Sequence, residues 1–303
     1  MIQRQFSNKR IRVLVGLFLA AGLLIQYQRA MSLPNKSSAP VMAKAEANPK
    51  SNMAFASVSF ETPPVVESLE DAARRDPMGF IQDALDQYDR SIRDYTCTFS
   101  KQELVNRKMT KEQVMEAMFR EEPFSVRLKW IKNEDKCSRV LYVADRWVDK
   151  DNQQLAVVEP GPIARIFVSH VMRPIAGRDA RKASRRTINQ FGLRNSLHLT
   201  LKYCKIAQDK KIPDFNFKYV GNGKVEGHET LIFERHLPYT GEDGIWPDRV
   251  LVVHIDKELL LPRLCTAYAD DQKTVVLGRY MTSKIKLNAN LPDSIFTKKG
   301  MGL

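Results

Sequence analysis

The chain has 303 residues, 43% of them apolar, enough to bury a substantial core as one large domain or two small ones. Its formal net charge is +13, but Arg4, Lys9, Arg10, Arg12 and Arg29 precede every acidic residue, which leaves +8 on the remainder. That balance suits an anionic lipid or an acidic glycan, and with no nucleic-acid-binding motif present the sequence gives no nucleic-acid partner.

The order of the chain begins with a targeting pattern. Basic residues precede an apolar run from Val13 to Ile25, which is short for a membrane span and right for an export signal. Residues 1–32 are therefore read as a signal peptide or, if uncleaved, as an N-terminal signal anchor with the domain outside the inner membrane. No cysteine follows the apolar run, so the chain is not itself a lipid-modified lipoprotein. Residues 33–67, rich in Ser, Ala, Asn, Pro and Lys, read as a disordered tether. A single domain is expected over 68–297, with a tail at 298–303.

From Ser68 the chain turns helical. Asp76-Pro77 is an N-cap with proline behind it, and Phe80, Ile81, Ala84, Leu85, Tyr88 and Ile92 recur on one helical face. Strands follow at Tyr95–Val105, Gln113–Arg120, Phe124–Ile131 and Arg139–Ala144, with shorter ones at Gln154–Val158 and Arg165–Val168. In the third of these, Phe124, Val126, Leu128 and Trp130 alternate with Ser125, Arg127 and Lys129, the mark of a strand with one dry face. Six basic residues, Arg173, Arg178, Arg181, Lys182, Arg185 and Arg186, then face a single acid, Asp179. They are either an anion-docking patch or a solvated loop and helix start. A long helix is expected from Ser184 to Gln208, with Leu193, Leu197, Leu201 and Cys204 as its apolar stripe. Strands return at Phe215–Tyr219, a turn at Gly221-Asn222-Gly223, and further strands at Glu229–Arg235, Arg249–Ile255, Arg263–Ala269 and Val275–Lys286. Ten or so antiparallel strands and two main helices without βαβ rhythm give an α+β class.

No catalytic constellation emerges. GxSxG, HExxH and P-loop motifs are absent, and the five histidines are dispersed without metal-ligand spacing, so neither a metal nor a cofactor is expected and the chain is not read as an enzyme. The four cysteines Cys97, Cys137, Cys204 and Cys265 contain no CxxC; export would allow disulfides, and buried free thiols are the alternative. The aromatic-rich dry faces offer a candidate apolar lining: Phe99, Phe119, Val126, Leu128 and Trp130 on strands, with Leu197 and Leu201 on a covering helix and Met115, Met118 and Met172 as adaptable fillers.

The segments DYTCTFSKQE, FREEPFSVRLKW, SRRTINQFGLRNSL, VVHIDKELLLPRL and YMTSKIKLNANLPDSIF together resemble the bacterial family named domain of unknown function 1571, over roughly Ser68 to Phe296. The chain departs from the family pattern at Pro160–Ile175. The resemblance implies an exported envelope protein and carries over no catalytic residues. More distantly, the layout and the segments DKELLLPRL and LPDSIF are similar to periplasmic lipoprotein carriers. That similarity implies a strongly curved, incompletely closed antiparallel sheet wrapping one or two helices, with acyl chains between them. Three readings stay open: a binder of an acyl chain, lipoprotein or other apolar ligand in the concave face; a structural or protein-interaction module with a self-filled core; and an enzyme on envelope polymers, which lacks any motif.

Overall fold

The structure is a computed structural model that describes residues 67–134 and 136–303. The expected signal or anchor at 1–32 and nearly all of the tether lie outside the described residues.

Two helices open the fold where one was expected. Ser68 caps α1 (Leu69–Arg75) by accepting the amide of Asp71 at 3.1 Å, and Asp76 caps α2 (Pro77–Ser91) by accepting that of Gly79 at 2.8 Å. The extended Asp76–Pro77 step breaks the run, because a residue before proline is pushed out of the helical region. β1 (Asp94–Val105), β2 (Lys108–Met109), β3 (Gln113–Arg120), β4 (Ser125–Lys132), β5 (Cys137–Val143), β6 (Leu155–Pro160) and β7 (Val171–Pro174) follow. After α3 (Arg178–Ala183) and α4 (Leu193–Asp209) come β8 (Asn216–Val225), β9 (His228–His236), β10 (Val250–Asp256), β11 (Pro262–Tyr268) and β12 (Val276–Leu287).

These strands form one antiparallel sheet in the order β7-β6-β5-β4-β3-β1-β12-β11-β10-β9-β8, with β2 paired to β1. Two meanders, β1 to β7 and β8 to β12, meet along the β1–β12 seam, where Tyr95 faces Leu287 and Glu103 faces Gly278. The sheet does not close: β7 and β8 are free edges of the order. The class is α+β.

The period of two sorts the side chains as the sequence implies. Met115, Ala117 and Phe119 on β3 and Val126 and Leu128 on β4 are buried with Tyr95, Cys97 and Leu193 in one cluster. The opposite face of the same half-sheet carries Met118, Leu141, Val143, Val157 and Met172. It is covered by the chain's own end, where Phe296 and Met301 are fully buried in two 3-10 turns, Asp293–Phe296 and Lys299–Met301. The segment 298–303 is thus packed structure and not a tail, since Met301 supplies the apolar cover that Leu141 and Val157 need. A third cluster joins Phe80, Ile81, Leu197 and Leu201 of α2 and α4 to Leu231, Phe233, Val253 and Ile255 of β9 and β10.

Three local expectations are corrected. Residues Arg165–Val168 are not a strand but overlap a 3-10 turn at Ala164–Ile166, and the strand is Val171–Pro174. Gly221-Asn222-Gly223 is not a turn: β8 runs through it with a bulge between Tyr219 and Gly221, made by Gly221 at φ +137°, and the chain reverses at Glu226-Gly227. The long helix begins at Leu193, not Ser184. Gly192 at φ +119° stops helical geometry, and the phenolic oxygen of Tyr95 on β1 accepts the Leu193 amide at 3.1 Å in place of a side-chain cap of the helix's own.

Candidate functional site

Between α4, the 173–193 segment and the sheet lies a cavity of about 1170 Å³. Its walls include Ala156 and Val158 of β6 as well as Arg235 of β9. In a flat sheet those strands, eight steps apart, would lie about 38 Å from each other at the usual strand spacing of about 4.8 Å. The sheet therefore curves around the cavity and α4.

The floor is apolar. Cys97 and Phe99 of β1, Met115 of β3, Leu128 and Trp130 of β4 and Val140 of β5 face it. Phe191 closes on Phe99 edge-to-face at 5.1 Å between ring centres. Trp130 adds a polar feature: its indole Nε1 is buried and has no acceptor among the described residues, although nearly every buried donor in a folded protein finds one. Cys97, Cys204 and Cys265 carry free thiols that are not bridged. Burial pushes Cys97 up to about 12 and both Cys204 and Cys265 up to about 11, so all three are protonated and unreactive at neutral pH.

The sequence-predicted lining divides in two. Phe99, Leu128 and Trp130 face the cavity. Phe119, Val126, Leu197 and Leu201 do not; each is at most 2% exposed and packed in the core. The physical reason is how α4 crosses the sheet. Its first turn rests on Tyr95 and Phe119, so closely that a Cβ on Gly192 would come within 3.2 Å of the Phe119 ring. Further along, its Leu197/Leu201 stripe turns to β9 and β10. The side of α4 that does meet the cavity is Leu193, from the expected apolar stripe, together with Ser196, Leu199, Thr200 and Tyr203, which lie outside that stripe. Of the three expected fillers Met115 lines the cavity, where Met109 of β2 joins it, whereas Met118 and Met172 pack on the opposite face.

The basic cluster also divides. Arg173, Lys182 and Arg186 stand at the cavity wall, and Lys108, Lys111 and Lys136 join them from β2 and the loops flanking β3 to β5. Among the described residues, Glu103, Glu134 and Asp179 oppose them there. Arg186 lies over the Tyr280 ring at 5.7 Å, while Arg185 is spent on Glu242 at 3.1 Å and the Pro247 carbonyl at 3.3 Å. Arg178 and Arg181 are exposed and do not reach the cavity.

One polar knot sits within this wall. Glu103, 1% exposed, accepts from Lys101 Nζ at 2.8 Å, Ser184 Oγ at 2.9 Å, Tyr280 Oη at 2.8 Å and the Arg185 amide at 3.3 Å. Burial pushes its carboxyl up, but the Lys101 charge and the hydrogen bonds from Lys101, Tyr280 and Ser184 outweigh that and hold it below the ordinary 4.5. The Lys101–Ser184 distance of 2.9 Å matches a nucleophile and its base. The chemistry does not: Lys101 is ion-paired to Glu103 and so charged, and Ser184 already donates to a carboxylate too acidic to take its proton. The knot is a clasp that fastens the 184–186 segment to β1 and β12. Because its carboxylate is depressed, the clasp's contribution is present above about pH 4.5 and is lost as pH falls through the lower folded value. Amide exchange in 178–187, measured from pH 7 downward by mass spectrometry and corrected for intrinsic rates, is expected to accelerate only in that acid range. Glu103→Gln is expected to show the fast exchange at neutral pH.

Among the described residues no three His, Cys, Asp or Glu side chains are grouped to hold a metal ion, and no helix is long and apolar enough to cross a membrane.

No curated protein matches the sequence. Several solved structures are similar at low identity. The Pseudomonas aeruginosa MucA/MucB complex matches at 12% identity and a TM-score of 0.42 over 73% of this chain and 61% of that one, so the chain spans under two thirds of that protein. An outer membrane lipoprotein-sorting protein domain from Vibrio parahaemolyticus matches at 12% identity and TM-score 0.35, over 75% and 98% of the two chains. The Mycobacterium tuberculosis lipoprotein LppX matches at 10% and 0.36, over 72% and 98%. A family model covers the seam, both meanders and the cavity: over residues 92–300 the chain belongs to the family described as protein of unknown function (DUF1571).

Proposed function

We propose that this is a non-enzymatic, exported envelope protein that holds an acyl chain, or the acyl portion of a lipid or lipoprotein, in the cavity between the sheet and α4. The observation that supports this most is the cavity of about 1170 Å³ with an apolar floor and a mostly basic wall. A self-filled core has no need of such a space, because protein interiors pack without large voids. Each buried methylene contributes about 0.8 kcal/mol, so one long chain supplies ample affinity without specific polar contacts. The cations at the wall suit an anionic head. Export is supported by the basic and apolar pattern before residue 32.

The test is native mass spectrometry of the full chain purified from its own envelope, followed by organic extraction. A bound lipid or lipopeptide of defined mass is the expected result. A clean apo mass, with no uptake of added lipid, turns the reading to a structural or protein-interaction module.

Trp130 gives a finer check. Trp130→Phe keeps an aromatic ring, smaller than the indole, and deletes the unpaired N–H; the lost packing and the relieved donor offset each other, so the denaturant midpoint is expected to change little. Affinity is expected to fall for ligands that carry a carbonyl or phosphate oxygen and to hold for a plain hydrocarbon of equal length.

A further inference from the structure

We infer that the β6–β7 loop, Gly161 to Ser169, is a membrane-docking tip that seats the cavity mouth on an anionic bilayer. The loop carries Ile163, Ile166 and Phe167, which are 80%, 76% and 83% exposed. Three large apolar side chains this bare in one turn are unusual on a water-facing surface, where such patches mark interaction sites. Their spacing of three and four places them on one side of the turn, which Arg165 and Phe167 amides close onto the carbonyls of Gly161 and Ala164. The other side of the same turn belongs to the cavity: Ala164 and Val168, one helical turn apart, line it. The loop therefore has one apolar face toward the ligand space and one toward the outside.

Charge selects a bilayer as the occupant, and an anionic one. Cations surround the loop on each flank. Lys136 accepts the Gly161 amide on its carbonyl at 2.9 Å, Arg165 lies within the loop and reaches Ser138 at 3.3 Å, and Lys298 stands 3.1 Å from His170. Arg173 follows on β7 and is only loosely paired, at 3.8 Å, with Asp179. Among the described residues, Asp179 and Glu134 are the carboxylates on this part of the cavity wall. Exposed aliphatic and aromatic tips ringed by Lys and Arg match the acyl boundary and headgroup charge of an anionic leaflet. Because Ala164 and Val168 are exposed and also line the cavity, the loop would give the proposed carrier a route by which an acyl chain passes from bilayer to cavity without crossing water. That part rests on the function proposed above; the docking surface itself does not.

The test is hydrogen exchange of the full chain with vesicles of phosphatidylcholine mixed with phosphatidylglycerol, and with phosphatidylcholine alone. The readout is confined to the amides of 163–169, so the apolar run at 13–25 does not enter it. Exchange there is expected to slow about tenfold or more on the anionic vesicles, as for a locally protected segment, and to stay near the free rate on the neutral ones. A triple variant, Ile163→Ser, Ile166→Ser and Phe167→Ser, changes only exposed side chains and is expected to abolish the slowing while the exchange of β3 and β4 is unchanged. No slowing on either vesicle overturns the inference and points to a protein partner for the loop. Equal slowing on both overturns the anionic assignment. Lipid uptake scored in parallel separates the two readings. Loop protection without uptake leaves docking standing and removes the carrier function; uptake without loop protection does the reverse.

Discussion

Asp248→Ala is expected to remove about 3–5 kcal/mol of folding stability, the usual cost of stranding one member of a buried ion pair. Both Asp248 oxygens accept from one guanidinium nitrogen of Arg235 at 3.0 Å, and neither side chain is more than 2% exposed. The same guanidinium donates to the Thr200 carbonyl at 3.1 Å and lies 5.5 Å over the Tyr203 ring. Arg235 thus fastens α4 to β9, and Asp248→Ala strands its charge, 1% exposed, at the cavity wall without the carboxylate that neutralises it. The measurement is a urea or guanidinium titration, read as a lower midpoint at unchanged slope. A double variant, Arg235→Met with Asp248→Leu, is expected to recover much of the loss, because removing both charges removes the desolvation problem with them. A loss under about 1 kcal/mol for Asp248→Ala, the range of surface pairs, would show that the pair is hydrated.

Ser196→Trp is expected to block ligand uptake while leaving the fold intact. Ser196 lies on the cavity side of α4, and its hydroxyl only back-bonds to the Gly192 carbonyl at 3.2 Å, so its loss costs little. An indole there projects into the space a ligand uses. Displacing about four methylenes at about 0.8 kcal/mol each lowers affinity for a long acyl chain about a hundredfold. Phe119→Ala is the converse control. Phe119 stacks on Tyr95 at 4.8 Å, is 1% exposed and does not reach the cavity. Its truncation is expected to cost about 3–5 kcal/mol and to spare the affinity of whatever folded protein remains. Fluorescent fatty-acid displacement and a denaturant titration on both variants check the pair. If Ser196→Trp binds as well as the parent, the cavity is not the binding site.

How much of this was legible in the sequence follows from what period two can and cannot encode. It marked β3 and β4 within a residue or two, because each has one dry face and one wet one, whereas β10 and β11, with no exposed position, carry no such contrast. It did not mark where α4 starts, since the helix is capped by Tyr95, almost a hundred residues earlier in the chain, and not by its own neighbours. Glycines at 221 and 223 resembled a turn, whereas one serves a bulge, and Gly223 lets the Ile232 and His254 side chains approach. The cavity was the least legible feature. Val126, Leu128 and Trp130 share a strand face and a composition, yet the first is core and the other two line a void. What separates them is how far α4 and Phe191 cover the sheet, a property of helix placement that no residue on β4 records. The loop at 161–169 carried a signal that was misread: Ile, Phe and Val in a row suggest a strand, but no partner strand covers their outer side.

The β1–β12 seam bears on how the chain reaches this state. Each meander is built from hairpins between neighbours in sequence, whereas the seam joins Tyr95 to Leu287, almost the first and last positions of the sheet. Closing so long a loop costs entropy that only the finished seam repays. The two half-sheets are therefore set to form first and to zip together last. Substitutions at Thr98 or Thr282 in the seam belong to the class that speeds unfolding and leaves the folding rate almost unchanged, while those at Met115 or Val253 inside a meander slow folding itself.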